Sequence, residues 1–175
     1  MRQYIKAFGE PVFNPERTFV HPAATLMGNV TLGELSSVWP GATVRGDGGG
    51  YVKIGSRTNI QEAANIHGGE PAFPIEIGDN VTIAHGAMVH GSKIGNNVCI
   101  GIAAVVLDGT VIPDNVIVGA NSVVSSKEPL QSGWLYMGSP ARPIKELSPK
   151  QIEWLQYNAD SYVNLAMHAL NLMPE

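Results

Sequence analysis

From Val20 to Val124 an aliphatic residue returns at every sixth position, with few breaks. The series opens with Val20, Leu26, Leu32, Val38 and Val44. It continues through Ile54, Ile60 and Ile66, then Ile77, Ile83 and Val89, and closes with Ile94, Ile100, Val106, Ile112, Val118 and Val124. Two places before these anchors stands a small or β-branched residue, as at Ala24, Val30, Ser36, Ala42, Ala64, Ala87, Ala104 and Ser122. A repeat of six matches neither an amphipathic helix nor a simple alternating strand. It predicts a parallel β-helix of hexapeptides, each one short strand and one turn, three of them closing a triangular coil. The anchor and the small residue point into the prism. The residues between them face out, and Gly or Asn at the turn tolerates a positive φ.

The breaks in the repeat divide the chain. Residues 1–19 precede the series and read as an extended cap over the first coil. The β-helix is expected over 20–126, a Pro/Gly-rich connector over 127–147 and a helix over 148–175. Ser148 is placed as the N-cap, Pro149 as the first helical residue, and Gln151 as the partner in a capping box. Ile152, Leu155, Ala159, Tyr162, Val163, Ala166, Ala169 and Leu170 give that helix an apolar stripe. Within the repeats, the run from Arg45 to Gly50 and the stretch from His67 to Pro74 each insert a loop, and Val89 to Ile94 is one residue short. Interruptions of this kind are where function concentrates.

A net charge of −4 leaves no basic footprint for nucleic acid. No window is apolar enough for a membrane helix, and the first residues lack the apolar core of a secretory signal. Cys99 is the single cysteine, so no internal disulfide can form. A reducing cytoplasm is the expected setting. Cys99 directly precedes an anchor, which turns its thiol outward.

Of the five histidines, His21 and His168 stand alone and read as surface or packing residues. The other three fall into register. Counting each inserted loop as part of one step, Ile66, Ile77 and Ile83 are the three walls of one coil and Val89 begins the next. His67 and His90 then share a column one coil apart, both outward, at a spacing that suits two imidazoles on one ion. His85, two residues past Ile83, lies on another wall. It reaches such an ion only on a neighbouring copy, as a closed head-to-tail trimer allows. Three neutral imidazoles and an open position are the ligand set of a catalytic zinc that acidifies water. Arg45 shares the column of His67, and Arg45 and Asp47 are expected to pair across the interface between copies. Gln61 lies on the wall of His85 and is suited to orient a hydroxide. Glu62, beside it, is a proton acceptor or a partner for Arg45 of another chain.

As a set, Val44-Arg45-Gly46-Asp47, Thr58-Asn59-Ile60-Gln61-Glu62, His67, Ile83-Ala84-His85, Val89-His90-Gly91, Val105 to Gly109 and the tail Gly138 to Leu147 resemble the γ-class carbonic anhydrase family. The likeness covers nearly the whole chain. It implies a left-handed β-helix, a homotrimer, and zinc or ferrous iron at each interface, held by His67, His85 and His90. The implied activity is that of a lyase, the reversible hydration of carbon dioxide to bicarbonate by metal-bound hydroxide. Gln61 would orient the hydroxide, Arg45 and Asp47 would support the interface, and Tyr162 would match a tyrosine that reaches the site in some members. Two departures stand out: Glu62 occupies a position where the family usually has Asp, and the loop after His67 is short, with Glu70 as its carboxylate. The alternatives are a coenzyme A-dependent acyltransferase on the same repeats, which needs one histidine and no metal, and a metal-binding member without turnover.

Overall fold

In the computed structural model, which describes residues 9–127 and 129–172, the repeats form a left-handed parallel β-helix of about six turns. Three walls close the prism. Wall A has six strands: Thr25–Gly28, Thr43–Gly46, Asn65–His67, Met88–His90, Val105–Val106 and Val123–Val124. Wall B has five: Val30–Leu32, Val52–Ile54, Ile75–Ile77, Lys93–Ile94 and Val111–Ile112. Wall C has eight. Phe19–Val20, Ser37–Val38, Asn59–Ile60, Thr82–Ile83, Cys99–Ile100 and Ile117–Val118 stack in parallel, and the hairpin Trp134–Gly138 and Ala141–Glu146 completes it. Each anchor pairs with the anchor one coil away, as in Val44↔Ile66 and Ile66↔Val89 on wall A. Val38, Ile60, Ile83, Ile100 and Val118 are fully buried, and so are Ala42, Ala64, Ala87 and Ala104 at the tight corners.

Two corners carry a left-handed residue in five successive coils. Between walls B and C it is Leu35, Arg57, Asn80, Asn97 and Asn115; between walls C and A it is Gly41, Ala63, Gly86, Ala103 and Asn121. Asn and Gly suit this conformation, while Leu35, Arg57 and the alanines show the register overriding local preference. The third corner, from wall A to wall B, carries both inserted loops. They pack backbone on backbone: a Cβ on Gly48 would stand 2.8 Å from Gly69 Cα. The glycine run is what lets one loop stack on the other.

Ahead of the first coil, Val12 makes a parallel bridge to Thr31 and extends wall B. The segment read as a connector holds the hairpin noted above, and its first strand pairs in parallel with Ile117–Val118. The helix Pro149–Leu172 follows. Its start carries the reciprocal cap: Ser148 N donates to Gln151 Oε1 at 3.1 Å, and Gln151 N to Ser148 Oγ at 3.4 Å. The helix lies along wall C of its own chain, where small residues, Ala159 and Ala166, are buried. Asn158 Nδ2 donates to Thr82 Oγ1 at 2.8 Å, and Arg57 pairs with Asp160. Among the described residues no helix is long and apolar enough to cross a membrane.

Cys99 does point away from the prism, but Leu147 and Leu155 cover it. Burial pushes its thiol from 9.0 up to about 12. The unfolded chain ionises this group near pH 9 and the folded chain does not. The stability it contributes is therefore intact below pH 9 and is lost as pH rises toward about 12. Urea midpoints at about pH 8 and about pH 10.5 should accordingly fall more for the parent chain than for Cys99→Ala. An equal fall in both would remove the thiol from this account.

Candidate metal centre

On the edge where wall A turns into wall B, Arg45, His67 and His90 stand in one column, paired Arg45↔His67 and His67↔His90. Each directly follows an inward anchor, so each side chain points out. The two imidazoles meet edge to face, with ring centroids 4.9 Å apart and planes at 68°. His67 Nδ1 lies 3.0 Å from His90 Nε2. Asp47 joins them from the glycine loop. Its Oδ2 accepts from Arg45 Nη2 at 2.8 Å, and its Oδ1 stands 3.4 Å from His67 Nε2. Arg45 and Asp47, expected to pair across an interface, thus pair within the chain.

The charges on this edge work together. The hydrogen bond from Arg45 holds the Asp47 carboxyl below its usual range. Burial, the Arg45 cation and His90 lower the pKa of His67, which favours the neutral imidazole a metal needs. Arg45 Nε and Asp47 Oδ1 are buried without a hydrogen-bond partner in the chain.

The second group sits on the opposite edge of wall A, where wall C turns into it. His85 occupies the turn between Thr82–Ile83 and Met88–His90 rather than a wall strand. Its register partner one coil back is Glu62, and Glu62 Oε2 lies 2.7 Å from His85 Nδ1. Glu62 therefore holds His85 of its own chain. Gln61 falls one place short, level with Ala84. It is buried, and its amide nitrogen donates to Asn59 Oδ1 at 3.0 Å. Tyr162 comes down from the helix with its ring 5.8 Å from that of Trp39. Burial and the Glu62 charge raise the pKa of its hydroxyl.

One chain thus carries two separate groups of polar side chains: Arg45, Asp47, His67 and His90 on one edge of wall A, Gln61, Glu62, His85 and Tyr162 on the other. His85 stands in the turn that leads into wall A and His90 ends the strand Met88–His90 that follows, so the two histidines sit at opposite edges of that wall. No three-residue metal cluster forms within the chain among the described residues. His67 and His90 do fit a shared ion: two nitrogens about 2.0–2.1 Å from a tetrahedral zinc stand about 3.3 Å apart, so the observed 3.0 Å needs a shift of a few tenths of an ångström. His21 takes a packing role, its Nδ1 accepting from Ala23 N at 3.1 Å. Glu70 is exposed in the loop after His67.

The sequence reading missed Asp108, whose carboxylate meets His90 Nδ1. It follows anchor Val106 by two positions, one coil beyond His90 at the same corner. The column of Arg45, His67 and His90 continues to Leu107, so counting along it stops one residue short of Asp108.

Fold and edges define a hexapeptide-repeat parallel β-helix protein with histidines paired across neighbouring coils. No protein-family model matches the chain. It is 33% identical over 174 residues to γ carbonic anhydrase 2, mitochondrial, of Arabidopsis thaliana, over 96% of this chain and 62% of that relative. The chain thus spans less than two thirds of the plant relative's length. It is 38% identical over 154 residues to Protein YrdA of Escherichia coli, over 85% of this chain and 83% of that one. Among solved structures, a candidate acetyltransferase of Bacillus cereus superposes with a TM-score of 0.91 at 29% identity, over 97% of both chains. The chain belongs to the γ-class carbonic anhydrase family.

Proposed function

We propose that this protein catalyses the reversible hydration of carbon dioxide to bicarbonate at a divalent metal, with zinc or ferrous iron held by His67 and His90 of one chain and His85 of its neighbour. The observation that carries the reading is the 3.0 Å approach of His67 Nδ1 to His90 Nε2, with His85 fixed on the far edge of the same wall. A metal bound by three neutral imidazoles supplies the Lewis acidity that brings the pKa of water near 7.

The three walls differ in a way that supports a ring of three copies. The outward column of wall B alternates charge, with Lys53, Glu76 and Lys93 in register. The C-terminal helix covers wall C. Wall A presents Thr25, Thr43, Asn65, Met88, Val105 and Val123, a column without charge. Three copies with wall A toward a common axis bring one edge of each chain to the opposite edge of the next, which closes three sites.

The chain's own groups have distinct tasks in this reading. Glu62 fixes His85 through Nδ1 and leaves Nε2 as the nitrogen available to an ion. Asp47, held by Arg45, stands against His67 Nε2 and keeps Nδ1 turned to His90. Gln61, anchored by Asn59, places a neutral amide beside the substrate's oxygen. The Tyr162 hydroxyl, kept protonated, is a hydrogen-bond donor at the mouth. The proton released as bicarbonate forms passes to buffer, with Glu70 the exposed carboxylate nearest in sequence to His67. Stopped-flow hydration by the zinc-loaded protein should exceed the buffer rate and return to it in His90→Ala. A zinc-loaded parent no faster than buffer would sink the activity.

The likeness to the candidate acetyltransferase supports a second reading, acyl transfer from coenzyme A. That reaction would survive complete removal of metal; hydration would not.

A further inference from the structure

We propose that Asp108 is a positioning residue of the metal centre, holding His90 in the one tautomer that turns a lone pair toward His67. The proposal rests on the reading of His67 and His90 as ligands. A carboxylate can only accept. Its contact with His90 Nδ1 therefore places the ring proton on that nitrogen, and a neutral ring then carries its lone pair on Nε2. Nε2 is the atom 3.0 Å from His67 Nδ1.

Asp108 is set by the backbone rather than by a mobile side chain. Its turn is tied to the turn after His90 by Gly109 N donating to Gly91 O at 2.8 Å, and internally by Thr110 Oγ1 donating to Leu107 O at 2.6 Å. Gly91 opens the approach. A Cβ there would stand 3.1 Å from Asp108 Cγ and 2.8 Å from Phe73 Cβ, so the carboxylate reaches the imidazole over a position that carries no side chain. The other group repeats the device, since Glu62 engages His85 at Nδ1 from one coil away. Carboxylates behind ligating imidazoles fix ring orientation, and their loss costs about 10- to 100-fold in metal affinity.

Two measurements test it. Nitrogen-15 NMR of the metal-free parent should find the His90 proton on Nδ1. Competition with a chromophoric chelator should give zinc affinities about 10- to 100-fold weaker for Asp108→Ala. Asp108→Asn, whose amide oxygen still accepts the N–H, should recover part of the loss. A His90 proton on Nε2 in the parent, or a folded Asp108→Ala with parental zinc affinity, overturns the proposal and leaves the ligand reading standing. A parent chain that takes up no zinc overturns the ligand reading and the proposal with it. The tautomer measurement needs no variant, so a misfolded Asp108→Ala cannot shelter the idea.

Discussion

Mixing His85→Ala with His67→Ala chains is expected to restore tight zinc binding that neither variant shows alone. The His85→Ala chain keeps an intact Arg45–Asp47–His67–His90 edge, and the His67→Ala chain keeps an intact Glu62–His85 edge. The two edges lie on opposite sides of wall A and make no shared cluster within one chain. Where an intact edge of one variant meets the intact edge of the other, all three imidazoles converge. Random reassembly of denatured and refolded chains in a closed ring gives this pairing at roughly a quarter of the interfaces. Zinc content and hydration should both rise from background to about that share of the parent value. A mixture that stays metal-free, or His85→Ala chains that keep full zinc, would remove the idea of a site split between copies.

The second large effect concerns the stack itself. Ile83→Ala should cost about 2–5 kcal/mol, read from the urea midpoint. Ile83 is fully buried and sits in register between Ile60 and Ile100. Ladder bonds hold the backbone around it, with Gln61 N donating to Ile83 O and Ala84 N to Ile100 O, each at 2.9 Å. The wall cannot collapse into the cavity, so the larger part of that range applies. Two residues on stands His85, and zinc affinity should fall with stability. Val111→Ala provides the control: that side chain faces out of wall B and is 60% exposed, and its truncation should stay within about 0.5 kcal/mol. Equal losses at the two positions would contradict the inward and outward assignment of the repeat.

That assignment was legible because a six-residue step leaves no freedom. Once Ile66, Ile77 and Ile83 are placed on successive walls, the column Arg45–His67–His90 follows by counting, loops included. The position of His85 relative to Gln61 and Glu62 follows from the same counting. Gln61 stands one residue past its anchor and His85 two past, so Glu62, not Gln61, is the register mate of His85. The hairpin Trp134–Gly138 and Ala141–Glu146 escaped because it abandons the repeat. Its Pro and Gly content imitates a linker, and its pairing with Ile117–Val118 is a tertiary fact. The helix showed its apolar stripe but not the surface it covers, which is why the burial of Cys99 came only with the structure. What joins one chain to another is a property of whole faces, and single residues carried it only through His85, a ligand candidate with no reachable partner at home.

Both insertions leave the prism at the wall A–wall B corner, while the other two corners keep their two-residue geometry in coil after coil. This makes the scaffold a fixed spindle with one editable seam. Lengthening, charging or exchanging the segments after Arg45 and His67 alters what a small molecule meets on its way in, without touching the register that aligns the imidazoles. Divergence in chemistry among proteins of this build should therefore be written chiefly along that seam, and grafting a longer acidic segment there should change proton traffic while leaving the melting behaviour of the spindle nearly intact.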